Sequence, residues 1–137
     1  METQTRVTNV EELRSPDAPS IREMLQHDID IRHLRQRKQG NITLDYFSVW
    51  TLLKCLINRA PNGYRWEIVD VSQIGDYVVV KGRLCVFDEE GLEMVTEAVS
   101  SERLDSKGAP PVETASSSCF RRACAMQGLG LSAYLDH

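Results

Sequence analysis

Residues 64–99 read YRWEIVDVSQ, IGD, YVVVKGRLCVF, DEEG, LEMVTEAV: three runs rich in valine, isoleucine and aromatics, parted by turns of three or four residues. Turns this short, built on glycine and aspartate, leave no room for the helical crossover that parallel strands need. The three runs must therefore pair as an antiparallel meander. The middle run fixes its faces. Val78, Val80, Gly82, Leu84 and Val86 share one side, and Tyr77, Val79, Lys81, Arg83, Cys85 and Phe87 share the other. A sheet with one apolar face needs a second layer laid upon it.

The helices that could supply that layer lie on either side. Upstream, Ser20 is a plausible N-cap for a helix with Ile21, Leu25, Asp28 and Ile29 near one face. It leads into RHLRQRKQG, a compact basic run that ends in a Gly40-Asn41 turn signal. DYFSVWTLLKCLINRA then predicts a second helix, capped by Asp45 or Ser48 and stopped by Pro61-Asn62-Gly63. Trp50 and Trp66 are expected in the core. Downstream, Pro111 suits the first turn of a helix running from Glu113 to Gln127. Its expected buried stripe is Ala115, Cys119, Phe120, Ala123, Cys124 and Met126, and Gly128 closes it. The expected fold class is thus α+β: an antiparallel three-stranded meander flanked by an N-terminal and a C-terminal helix. At 137 residues one domain is expected, over 21–137, with 1–20 as a polar mobile arm.

No apolar run approaches the length of a membrane span, so no membrane role is expected. The first twenty residues lack a basic end followed by an apolar stretch, which points away from a secretory signal and toward a reducing cytoplasm. Cys55, Cys85, Cys119 and Cys124 lack metal-ligand spacing and read as reduced, buried thiols. No metal or other cofactor is expected.

The net charge of −4 hides a strong segregation. Residues 32–85 carry nine basic and four acidic side chains, whereas 86–120 carry two basic and eight acidic. A protein arranged this way can offer a basic stripe to a polyanion while its other faces stay acidic. The last helix adds a specific patch. Ser117 lies four residues before Arg121, and Ser118 lies three before Arg121 and four before Arg122, so the four cluster on one face. Short serines leave room for a phosphate, and guanidinium forks match its oxygens. Lys81 and Arg83, two apart on one strand face, are a second candidate patch, and Arg32, Arg35, Arg37 and Lys38 are a third.

TLDYFSVWTLL…NRAPNGYRWEI, GDYVVVKGRLCVFDEEGLEMVTEAV and ETASSSCFRRACAMQGLGLSAYL together resemble the Rad-fifty-two-like single-strand annealing proteins, over about residues 30 to 135. The likeness is to the short bacterial and phage branches, including the DNA-damage-response protein A type. Its most specific part is the alanine-rich helix with a basic pair, Phe120-Arg121-Arg122-Ala123, followed by Gly128-Leu129-Gly130 and Tyr134-Leu135. The resemblance implies a β-β-β-α core assembled side by side into rings or filaments. It implies ATP-independent binding and annealing of single-stranded DNA in recombination and repair, alongside other recombination proteins and near the nucleoid. By position, the family's basic pair carries over to Arg121 and Arg122, and its basic hairpin residues to Lys81 and Arg83. The run Arg32 to Lys38 corresponds to a basic or aromatic stretch in many members. One turn past the pair, where some members have another cation, this chain has Ala125 and Met126.

Other readings stay open. A double-stranded-RNA-binding domain has a similar element order, but it carries a lysine cluster where this helix begins Pro-Pro-Val-Glu-Thr. A pure assembly protein would use the sheet edges and make no DNA contact. Catalysis is not expected: His27 with Asp28 and Asp30 reads as a solvated helix end, and Asp88-Glu89-Glu90 as a charged hairpin turn. No phosphate-binding loop or metalloprotease motif is present.

Overall fold

A computed structural model describes residues 18–135. The expected mobile arm falls mostly on residues 1–17, outside the described residues. In chain order the elements are α1 (Ile21–Gln26), a 3-10 turn (Ile31–His33), β1 (Leu34–Gln39), β2 (Ile42–Phe47), α2 (Val49–Arg59), β3 (Tyr64–Ile74), β4 (Tyr77–Phe87), β5 (Glu93–Arg103), α3 (Pro111–Met126) and α4 (Ser132–Leu135). The architecture is α+β. A three-stranded antiparallel sheet runs in the order β3-β4-β5, a separate β1-β2 hairpin stands apart from it, and helices lie toward both ends of the chain.

The meander forms as its alternation requires. β4 pairs with both neighbours, so Arg83 stands opposite Glu67 on one side and Glu97 on the other. Val78, Val80, Gly82, Leu84 and Val86 are all buried, and α3 covers them. Gly82 is required there. The Trp66 indole lies where a Cβ would sit, and any side chain at 82 would collide with it. Held flat by that gap, Trp66 meets Phe120 of α3 edge-on, ring centres 5.1 Å apart.

α3 runs antiparallel to β5 and is tied to it by polar bonds. Thr96 Oγ1 donates to the Ala123 carbonyl at 2.9 Å, and Gln127 Nε2 donates to the Met94 carbonyl at 2.8 Å. Ala115, Cys119, Phe120, Ala123 and Cys124 form the buried stripe, joined by Leu52 and Leu56 of α2 and Ile21 and Leu25 of α1. Truncating Leu84, fully buried at the centre, to alanine would cost about 2–5 kcal/mol. Burial raises the Cys124 thiol far above the ordinary cysteine range, so this residue acts as a small hydrophobe. Met126, expected in the stripe, instead projects from the helix end and is 62% exposed.

Three expectations about the first half of the chain are corrected. The N-terminal helix stops at Gln26, after a complete capping box between Ser20 and Glu23. The basic run then forms β1, and Gly40, at φ 64°, turns it into β2. The second helix consequently starts at Val49, with Ser48 as its cap, and residues 45–47 belong to a strand. Lysine, arginine and glutamine favour helix intrinsically, but the anchoring of Leu34 and buried Phe47 at the hairpin base overrides that preference. Trp50 is not a core residue. It sits in the first turn of α2, on the face opposite Leu52 and Leu56, and is 79% exposed.

Candidate nucleic-acid interface

The basic residues singled out in the sequence fall on three surfaces. Lys81 and Arg83 lie on the sheet face that α3 does not cover. The register of β3, β4 and β5 surrounds them with acids. Arg83 pairs with Glu97 at 2.6 Å and with Glu67 at 3.6 Å, and Lys81 pairs with Glu97 at 3.4 Å. Arg65 extends the network to Glu67 and Glu93. The hydrogen bond from Arg83 lowers the Glu97 carboxyl pKa, and the same bond raises that of Arg83. These cations already have anions beside them.

Arg32, Arg35 and Lys38 form no patch with the last helix. Arg32 grips Asp30 through Nε and Nη2 at 2.9 and 2.6 Å, which holds the Asp30 carboxyl down at about 2. Arg35 and Lys38 are exposed on the hairpin. Of the acidic groups weighed as catalytic, Asp30 holds Arg32, and Asp88 accepts from the Glu90 and Leu92 amides and closes its turn.

The third surface differs. The β1-β2 hairpin leans over one flank of α3 and, with β5 and α4, encloses a trough of about 480 Å³. Ser117, Ser118, Arg121 and Arg122 line it from α3, and Arg37 lines it from β1. Five of the ten candidate residues therefore converge, although Arg37 lies some eighty positions from the pair. Antiparallel pairing puts Arg37 opposite Leu44 and Arg35 opposite Tyr46.

Arg121 is the centre of this arrangement. Its guanidinium sits over the Tyr46 ring at 5.2 Å and donates to Ser118 Oγ at 3.2 Å. It is half-buried, and burial pushes its pKa below the ordinary arginine value, with Arg37 and Arg122 adding repulsion in the same direction. Arg122 donates to the Val99 carbonyl at 3.0 Å, which fixes its fork beside β5. Among the described residues none of Arg37, Arg121 and Arg122 forms an ion pair.

Among the lining residues that were not sequence candidates, Tyr46, Tyr134 and Ser100 stand out. Ser100 is 3% exposed, and its Oγ has no hydrogen-bond partner. The signal for it was present. It continues the inward series Met94, Thr96, Ala98 along β5, and a serine at such a position calls for a partner. Tyr46 had no such signal while its segment read as the start of a helix.

No helix among the described residues is long and apolar enough to cross a membrane, and no group of three or more His, Cys, Asp or Glu is placed to hold a metal ion. No protein-family model matches the chain, and no curated protein matches it.

Proposed function

We propose that this chain binds single-stranded DNA in the trough between α3 and the β1-β2 hairpin, and that it promotes strand annealing without ATP, in the manner of the Rad-fifty-two-like proteins it resembles. The observation that carries this reading is Arg121: a half-buried guanidinium with Arg37 and Arg122 for neighbours and, among the described residues, no acid paired to any of them. A part-buried guanidinium with two exposed like charges nearby gains from an anion that joins them. A phosphate supplies that anion, in the bidentate geometry arginine favours. Short serine side chains beside the pair let the backbone approach.

Homo-oligomerisation, as a ring or filament, belongs to the same reading and would multiply a modest contact per subunit. The β3 edge supports it. This eleven-residue strand ends the sheet and exposes Ile68, Val69, Val71 and Ile74, an edge that invites another strand. The exposed Trp50 adds a second apolar contact point. Other recombination proteins are the partners this role would need, in the cytoplasm near the nucleoid.

Fluorescent single-stranded oligonucleotide, titrated at low and moderate salt with light scattering on the same sample, tests the proposal. Salt-sensitive binding by an oligomer is expected. An oligomer that ignores single strands would leave the assembly reading instead, and a monomer that ignores them would remove both.

A further inference from the structure

The trough is not uniformly basic, and its polarity runs along α3. Two rows of residues at i, i+4 spacing face it: Glu113, Ser117, Arg121 and Thr114, Ser118, Arg122. Along α3 one end is thus cationic, the middle is hydroxyl-lined, and the other end carries Glu113; Glu102 of β5 and Asp45 of β2, which accepts from Gln36 Nε2 at 3.2 Å, also line the trough. Glu102 already accepts from Ser106 Oγ at 3.0 Å, whereas Glu113 is exposed and has no ion-pair partner among the described residues. Eight residues of helix separate Glu113 from Arg121, roughly 12 Å of rise.

A phosphate backbone cannot run the length of such a trough. A strand carries one negative charge per nucleotide, so its next phosphate would approach the carboxylates. What does fit is a single nucleotide lying lengthwise, phosphate at one end and base edge at the other. Carboxylates accept hydrogen bonds from the exocyclic amino group of cytosine, while thymine offers an oxygen and a methyl group in the same place. Tyr134, half-sunk beside the arginines, and Tyr46 give the ring apolar surface.

We infer that the trough seats one nucleotide of each bound strand, its phosphate on Arg121 and Arg122, its sugar over the serine row of Ser117 and Ser118 and the amino group of its inward-turned base on Glu113, so that cytosine is favoured over thymine. This rests on the strand-binding reading above and adds a base preference to it. Neighbouring bases stay outside and free to pair.

The test uses the full chain with oligo-dC and oligo-dT of equal length, by fluorescence anisotropy at one salt concentration and neutral pH. Oligo-dC should bind at least about fivefold more tightly. Glu113→Ala, an exposed change that leaves the core intact, should bring the two to parity, with neither bound more weakly than oligo-dT is by the unaltered protein. Equal, salt-sensitive binding of both oligomers by the unaltered protein would overturn the base seat and leave strand binding standing. A preference that survives Glu113→Ala would overturn the assignment to that carboxylate. Failure to bind either oligomer would remove both readings.

Discussion

The open face of the sheet and the trough beneath the hairpin each gather several cations, yet only one of them has charge to offer. On the open face, strand pairing places Glu67 and Glu97 directly beside Arg83, and each cation meets a carboxylate within 4 Å. In the trough, three arginines come from two separate elements, and although Asp45, Glu102 and Glu113 also line it, none of the three arginines forms an ion pair among the described residues; the contacts of Arg121 and Arg122 are to a serine, a tyrosine ring and a backbone carbonyl. The difference shows that the density of positive charge along a sequence is a poor guide to where unpaired cations gather in the fold. Residues 32–85 hold the largest basic excess, but much of it is cancelled by the acidic stretch that follows, because β4 and β5 lie side by side. Arg121 and Arg122, on which the proposed binding rests, sit in a segment of nearly balanced charge.

Replacing both Arg121 and Arg122 by alanine should break the trough and produce the largest effect. Single-strand affinity at low salt should fall at least about tenfold, and the slope of log affinity against log salt should flatten by roughly 1.4, two phosphate contacts at about 0.7 each. Circular dichroism should be unchanged, since neither guanidinium belongs to the apolar core. A slope identical to that of the unaltered protein would mean the phosphates go elsewhere.

A smaller effect should follow from Tyr46→Leu. The change keeps the bulk at the hairpin and removes the ring face on which Arg121 rests. A partly exposed cation–π contact is worth about 0.5–1 kcal/mol, so affinity should drop about threefold with the salt slope preserved. A flattened slope would show that the ring does more than orient one guanidinium.

The companion change, Lys81→Ala with Arg83→Ala, should move affinity by less than about twofold, because those cations are already neutralised where they stand. A loss matching that of the trough variant would reverse the comparison and make the sheet face the binding surface.

These differences explain what could be read from the chain beforehand. The meander and α3 were legible since alternation, turn residues and a small-residue stripe all agree there. Even the trough's inner row, Glu113-Ser117-Arg121, is a plain i, i+4 pattern. The hairpin was not legible. RQRKQ has no apolar alternation, and β1 stands as a strand because Leu34 and Phe47 anchor its base to the core. Nor was it legible that Arg37 would reach Arg121 while Arg32, five residues away, closed on Asp30. Which cation keeps its charge free depends on what the fold lays beside it, and that is a property of pairing across long separations. Trp50 failed for a related reason: aromatics at helical spacing read as core, yet the narrower stripe of Leu52 and Leu56 is what faces inward.

The smallest expected effect is on acid stability, and it separates the two surfaces without any ligand. Arg83 lowers the Glu97 carboxyl pKa below its ordinary value of 4.5. A carboxylate with a depressed folded pKa contributes stability that is present above its unfolded pKa and lost as pH falls through the folded value. The unaltered protein should therefore lose a little melting temperature to this pair as pH drops below about 4.5, and less at high salt, because both groups are exposed. Arg83→Ala should make that part of the curve shallower, since Glu97 would then titrate more nearly alike in the folded and unfolded chains. Arg121→Ala should leave the acid limb unchanged, because no carboxylate among the described residues is paired to it. If thermal melts across this range showed Arg121→Ala flattening the limb as much as Arg83→Ala does, Arg121 would have an acid partner, and its claim to an incoming phosphate would fail.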